Sequence, residues 1–81
     1  MHKLQFTSAD PLDHVCRTLD AMRKMGFGLS GLRVQQDADA AYKISFDFDS
    51  RGSPSVATLV DRVSACVGVD AVQHDTAEVI D

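Results

Sequence analysis

The sequence predicts an α+β domain of βαββαβ order, with four strands in one antiparallel sheet and two helices on one of its faces. Three observations predict it. Two stretches, Pro11 to Gly26 and Pro54 to Gly68, carry apolar residues at helical spacing. Each of them opens on a capping residue followed by proline and closes on glycine. Each is also flanked by strand-like segments, so the chain reads as two similar halves. Finally, Tyr42, Ile44, Phe46 and Phe48 alternate with Lys43, Ser45, Asp47 and Asp49, which gives one apolar and one polar strand face and fits a sheet covered on one side only.

In chain order, Leu4 and Phe6 alternate with Lys3, Gln5 and Thr7 in a short half-buried strand. Asp10 is placed to cap the first helix, with Pro11 at its first position and Asp13 in its first turn. Leu12, Val15, Cys16, Leu19 and Met22 form the expected inward stripe, and Gly26 ends it. Phe27 and Leu29 begin the second strand. Leu32 and Val34 continue it on the opposite parity, so one extra residue must be absorbed, and Ser30-Gly31 is the expected bulge. Gln36 to Ala40 reads as a polar turn. After the third strand, Ser53 and Pro54 open a second helix whose stripe is Val56, Leu59, Val60, Val63 and Val67, ended by Gly68. Val69 to Thr76 is the last strand, with Val72 inward, and the tail AEVID extends or frays from it. Lys3, Gln5, Thr7, Arg33, Lys43, Ser45, Asp47, Asp49 and Gln73 should then line the open sheet face.

The chain has 81 residues, enough for a single domain over residues 1–81. A domain this small is only marginally stable alone, and association is one remedy. No segment approaches the ~18 apolar residues of a membrane span. The first residues, MHKLQF, show no signal-peptide pattern, so a cytoplasmic location is expected.

The net charge is −4, from 8 basic and 12 acidic side chains, and the basic residues are scattered rather than arrayed as a nucleic-acid stripe. Tyr42, Phe46 and Phe48 share the parity of Ile44 and should face the core, where they cannot stack on bases. Asp47 and Asp49 would repel phosphate from the open face. These features argue against nucleic-acid binding.

No catalytic constellation is legible. His14 and Asp13 are helix neighbours and do not face each other. His2 and His74 could meet at the sheet rim, but two histidines fall short of the three or four ligands a metal site needs. Cys16 and Cys66 read as reduced small core residues, with the two helices able to bring them close. No catalytic residue, metal or cofactor is therefore assigned.

The βαββαβ order, the acidic-proline corner after the first strand, and the run MRKMGFGLSGLRVQQDADAAYKISFDFD resemble ACT domains, a ferredoxin-like family. Within that family the chain is most similar to the small regulatory subunit of acetolactate (acetohydroxyacid) synthase of the isozyme II type. The resemblance runs from Leu4 to about Thr76. It implies a non-catalytic subunit that activates the large, thiamine-diphosphate-dependent subunit in branched-chain amino-acid biosynthesis. It implies a homodimer joined through the second strand, at Leu29, Gly31, Leu32, Arg33 and Val34, giving one continuous sheet. It also implies an effector site for a branched-chain amino acid, built from the first corner (Asp10, Pro11, Leu12, Asp13) and the partner's Ser30-Gly31. The alternative is a free-standing ACT-type amino-acid sensor. An acylphosphatase-like enzyme of the same fold would need an arginine in a phosphate-cradling first loop, which TSADP lacks.

The corner departs from a ligand-holding ACT loop. Leu12 stands where such loops commonly carry glycine, and Pro11 removes one N–H donor. The Asp10 and Asp13 carboxylates would compete with a ligand carboxylate, since two unit charges at ~4 Å repel by roughly 1–4 kcal/mol. The residues thus read mainly as a helix cap.

Overall fold

The computed structural model describes residues 1–36, 40–51 and 56–76. Its elements are β1 (His2–Ser8), α1 (Pro11–Met25), β2 (Gly28–Gln36), β3 (Tyr42–Asp49), α2 (Val56–Ser64) and β4 (Val69–Thr76). The strands form one antiparallel sheet in the order β2-β3-β1-β4, which leaves β2 and β4 as its edges.

The register explains the core. Leu4 pairs with Phe46 and Phe6 with Ile44 across β1 and β3, which puts their side chains on the face the helices cover. Those four residues and Phe48 are essentially inaccessible, and they pack with Met22, Phe27, Leu59 and Val63. Phe6 stacks on Phe46 and Phe27 on Phe48, with ring centroids 6.0 and 5.4 Å apart. On the opposite face Lys3, Lys43 and Arg33 stand exposed among Gln5, Thr7 and Ser45, as alternation requires.

The bulge in β2 lies where parity placed it. Leu29 pairs with Phe48 and Gly31 with Asp47, so Ser30 is the additional residue, and its hydroxyl donates to the Asp47 carbonyl at 3.1 Å. Leu29, Leu32 and Val34 consequently share the helix-side face. A second irregularity, in β4, has no counterpart in the sequence pattern. Gln73 pairs with Gln5 but Asp70 with Thr7, and Ala71 adopts a φ of 54° to absorb the shift.

The helices differ from expectation in phase and length. In α1 the fully buried positions are His14, Thr18 and Met22, with Val15, Leu19, Ala21 and Met25 packed partly against the core. Leu12 and Cys16, expected in the inward stripe, point outward, and Leu12 is 81% exposed. Helix α2 ends at Ser64, and Val67, expected as its last inward residue, is 95% exposed on the turn beyond it. Cys66 is half-buried, so neither cysteine is a core residue. Gly26 closes α1 in the left-handed conformation (φ 78°), with its N–H on the Arg23 and Met22 carbonyls. The expected cap at Ser53-Pro54, most of the 36–40 turn and the AEVID tail lie outside the described residues.

Candidate functional site: the first strand–helix corner and the open strand edge

The corner between β1 and α1 is built on backbone groups that helix geometry leaves over. Asp10 caps the helix: its carboxylate accepts from the Asp13 N–H at 3.4 Å and its carbonyl from the His14 N–H at 3.1 Å. Pro11 has no N–H to offer. Among the described residues this leaves only the Leu12 N–H of the first turn without a partner. Asp13 turns outward to the Arg17 guanidinium, 2.8 Å away, and this hydrogen bond holds Arg17 above its ordinary basicity. A ligand carboxylate arriving here meets one free donor and two acidic side chains.

Beneath the cap lies a buried polar connection that hydropathy could not reveal. His14 and Ser8 are almost fully buried, and the Ser8 hydroxyl is hydrogen-bonded to His14 Nδ1. His14 Nε2 bonds the Val67 carbonyl at 3.0 Å. A carbonyl only accepts, so Nε2 carries a proton there; in the tautomer protonated at Nε2 alone, Nδ1 accepts from the Ser8 hydroxyl. Ser8 Oγ in turn accepts from the Asp10 N–H at 3.0 Å, and Thr18 Oγ1 donates to the His14 carbonyl at 2.8 Å. Every buried side-chain polar atom among the described residues is satisfied. The imidazole therefore ties the end of β1 and the start of α1 to the turn after α2, with the Ala9 N–H to Gly68 carbonyl bond (3.3 Å) alongside. Ser8 is 1% exposed and its oxygen is already engaged by the Asp10 N–H, so the Ser–His pair presents no nucleophile to a substrate.

The remaining site candidates lie far from this corner within one protomer. Gly31 shares a row of the sheet with Asp47 and Lys3, whereas Asp10 follows Ser8, five residues further along β1. At ~3.3 Å per residue that is about 17 Å. Asp10, Pro11, Leu12 and Asp13 thus form one cluster and Ser30 and Gly31 another.

The edge strand β2 exposes Leu29, Leu32 and Val34 at 46%, 42% and 45%, all on the helix side. Its two glycines sit on the open face. A side chain at Gly28 would collide with the Arg51 guanidinium, and one at Gly31 would lie 3.1 Å from Asp47 Oδ2. The glycines thus make room on that face for the Arg51 guanidinium and the Asp47 carboxylate, which lie over the strand at those two positions.

Two further features were weakly marked in the sequence. His2 and His74 do meet, Nδ1 to Nε2 at 3.2 Å, with Thr76 Oγ1 3.4 Å from the same His2 nitrogen. Partial burial, then the neighbouring His74, depress the basicity of His2 below its ordinary value. No group of three metal-ligating side chains occurs among the described residues. The other feature is a cavity of about 210 Å³ between the helices, lined by Arg17, Thr18, Asp20, Lys24, Arg62 and Cys66. Asp20 there is drawn below its usual carboxylate range by hydrogen bonds from Arg23 and Lys24. No described helix is long and apolar enough to cross a membrane.

No family model matches this sequence, and no curated protein does. Solved structures match its fold. The C-terminal domain of the MgtC protein from Mycobacterium tuberculosis is 17% identical, with a TM-score of 0.81 over 95% of this chain and 86% of that one. The ACT domain from GTP pyrophosphokinase of Chlorobium tepidum is 12% identical in its crystal structure, with a TM-score of 0.69 over 90% of this chain and 94% of that one. Its solution structure is 13% identical, with a TM-score of 0.64 over 95% and 86%. At these identities the likeness is one of fold: a ferredoxin-like βαββαβ domain of the kind found in ACT domains.

Proposed function

We propose that this chain is a non-catalytic regulatory subunit of ACT type. It pairs with a second copy through β2 and works by docking on a catalytic partner, the large subunit of acetolactate synthase. The observation that carries this reading is the edge strand. Three apolar side chains lie half-exposed along an unpaired ladder edge, a surface suited to strand addition. The ACT-like fold and the resemblance of the MRKMGFG run support the identity of the partner. The regulation is differential binding: the subunit stabilises one conformation of the enzyme, and the thiamine cofactor and the chemistry stay with the large chain. Mixing the two chains and following acetolactate formation tests it. Raised activity with co-elution is expected. Unchanged activity with separate elution removes the proposed partner.

A second reading, a free-standing amino-acid sensor, draws on the solved neighbours, which belong to other systems than acetolactate synthase. Calorimetric titration with valine, leucine and isoleucine separates the two. The capped corner predicts silence at millimolar ligand for the native chain and heat once Leu12→Gly and Asp13→Asn open the loop.

A further inference from the structure

We infer that the two copies pair through β2 in one register, with the two-fold axis at Leu32 and Arg33 of each chain reaching across the partner's Gly31 to an ion pair with the partner's Asp47. The inference rests on the dimer reading above and adds its geometry.

Face continuity limits the choices. Helix-side residues must meet helix-side residues across the new ladder, so the axis falls on a residue rather than between two. Strand β2 spans Gly28–Gln36 with Ser30 bulged out of the ladder; with Ser30 skipped, an axis at Leu32 opposes Gly28–Gln35 to its copy, Gly31 meeting Arg33 and Leu29 meeting Val34. An axis at Arg33 gives an overlap of equal length but sets Arg33 directly against its symmetry mate, and like charges so placed are destabilising. An axis at Val34 shortens the overlap and sets Leu32 against Gln36. With the axis at Leu32, two leucines meet on the helix side, and Arg33 faces the partner's Gly31.

The local chemistry fits that last pairing. Gly31 offers no side chain, and the Asp47 carboxylate leans over the vacant position, with Oδ2 3.1 Å from where a Cβ would be. Arg33 is exposed, lies on the same open face, and has no ion pair with any described residue. Asp47 likewise has none, although Lys3 is its row neighbour on β1. Each edge therefore carries a guanidinium two rows from a carboxylate, neither ion-paired with a described residue, with a glycine beside the carboxylate. Two-fold symmetry about Leu32 superposes each on its complement. Gly31 thereby acquires a reason to be glycine: a side chain there would stand between the partner's Arg33 and Asp47.

Two experiments on the full chain test this. In a background carrying Cys16→Ser and Cys66→Ser, single cysteines are placed as Leu32→Cys, Arg33→Cys and Val34→Cys and oxidised. A residue on the axis meets its own mate at about 4.5–5.5 Å between Cα atoms, within disulfide reach. A residue one step from it is about 8 Å from its mate, given a ~3.3 Å rise and ~4.8 Å strand spacing. Only Leu32→Cys should give the covalent dimer. Cross-linking at Arg33→Cys or Val34→Cys instead overturns the register while leaving β2 pairing intact. A chain that sediments as a monomer and cross-links nowhere overturns the pairing itself.

The second experiment reverses charges. Arg33→Asp and Asp47→Arg should each raise the dimer dissociation constant about tenfold, since two exposed pairs per dimer become repulsive. The Arg33→Asp/Asp47→Arg double variant should return to near the native value. Additive losses in the double variant would refute the ion pair.

Discussion

His14 provides the sharpest test of how the corner is held. In His14→Ala the Ser8 hydroxyl loses its acceptor inside a site only 1% exposed, and the Val67 carbonyl loses its donor. A buried hydroxyl left unmatched costs about 1–3 kcal/mol. Val67 is solvent-exposed, so its carbonyl recovers a water at little cost. Removing the ring also leaves a void beneath the cap, bringing the expected loss to about 2–4 kcal/mol. For a chain of 81 residues the total stability is about 4–12 kcal/mol, so this is a large fraction of it. Urea unfolding followed by far-ultraviolet circular dichroism should show a lower midpoint with an unchanged slope. Ser8→Ala removes the stranded hydroxyl, so the double variant should lose less than the sum of the single ones, with a coupling of about 0.5–3 kcal/mol. If His14→Ala costs under about 0.5 kcal/mol, a surface-like value, the polar connection contributes nothing and the reasoning fails.

Two further outcomes follow from the same geometry. His2 has a folded basicity below its unfolded one, so its contribution is complete above the ordinary histidine value of about 6.5 and is lost as pH falls through the depressed one. Melting temperature should accordingly rise between pH 5.5 and 7.5, and His74→Gln should flatten that rise; an equal slope in the variant would deny the coupling. Gly26 has φ 78° and open space where a Cβ would go, so Gly26→Ala should cost about 1 kcal/mol purely through backbone conformation. Gly26→Asn should cost less in the same unfolding assay, and equal losses would mean that the left-handed cap is not the cause.

Much of the architecture was legible because the pattern and the physics coincide. The alternation in β3 gave both faces of the sheet. The parity change between Leu29 and Leu32 located the bulge, since a pleated strand cannot switch faces without an extra residue. Asp10-Pro11 marked the start of α1 through the donors that proline lacks and aspartate satisfies. The misplaced features share one origin. Helix α1 buries His14 and Thr18, polar residues that a hydropathy stripe skips, so hydropathy alone runs the stripe through Leu12 and Cys16 instead. What makes His14 an inward residue is Ser8 on one side and the Val67 carbonyl, 53 residues away in sequence, on the other. Such a partnership has no periodicity to betray it. The early end of α2 and the β4 bulge at Ala71 likewise depend on how the chain returns to β1. At the candidate site, the acid-proline corner was readable as a cap, but its separation from Ser30-Gly31 within one protomer emerged only from the register.

The proposed regulatory role requires the β2 edge to be a pairing surface for a second copy. Sedimentation equilibrium on the purified chain and on Leu32→Asp tests it most directly. The native chain should sediment at twice its 8.8 kDa mass. The variant, which sets two carboxylates against each other at the axis, should sediment as a folded monomer with an unchanged circular dichroism spectrum. A native chain that remains monomeric at about 100 μM, a concentration at which even a micromolar dimer would be assembled, would contradict the account. So would a Leu32→Asp variant that stays dimeric.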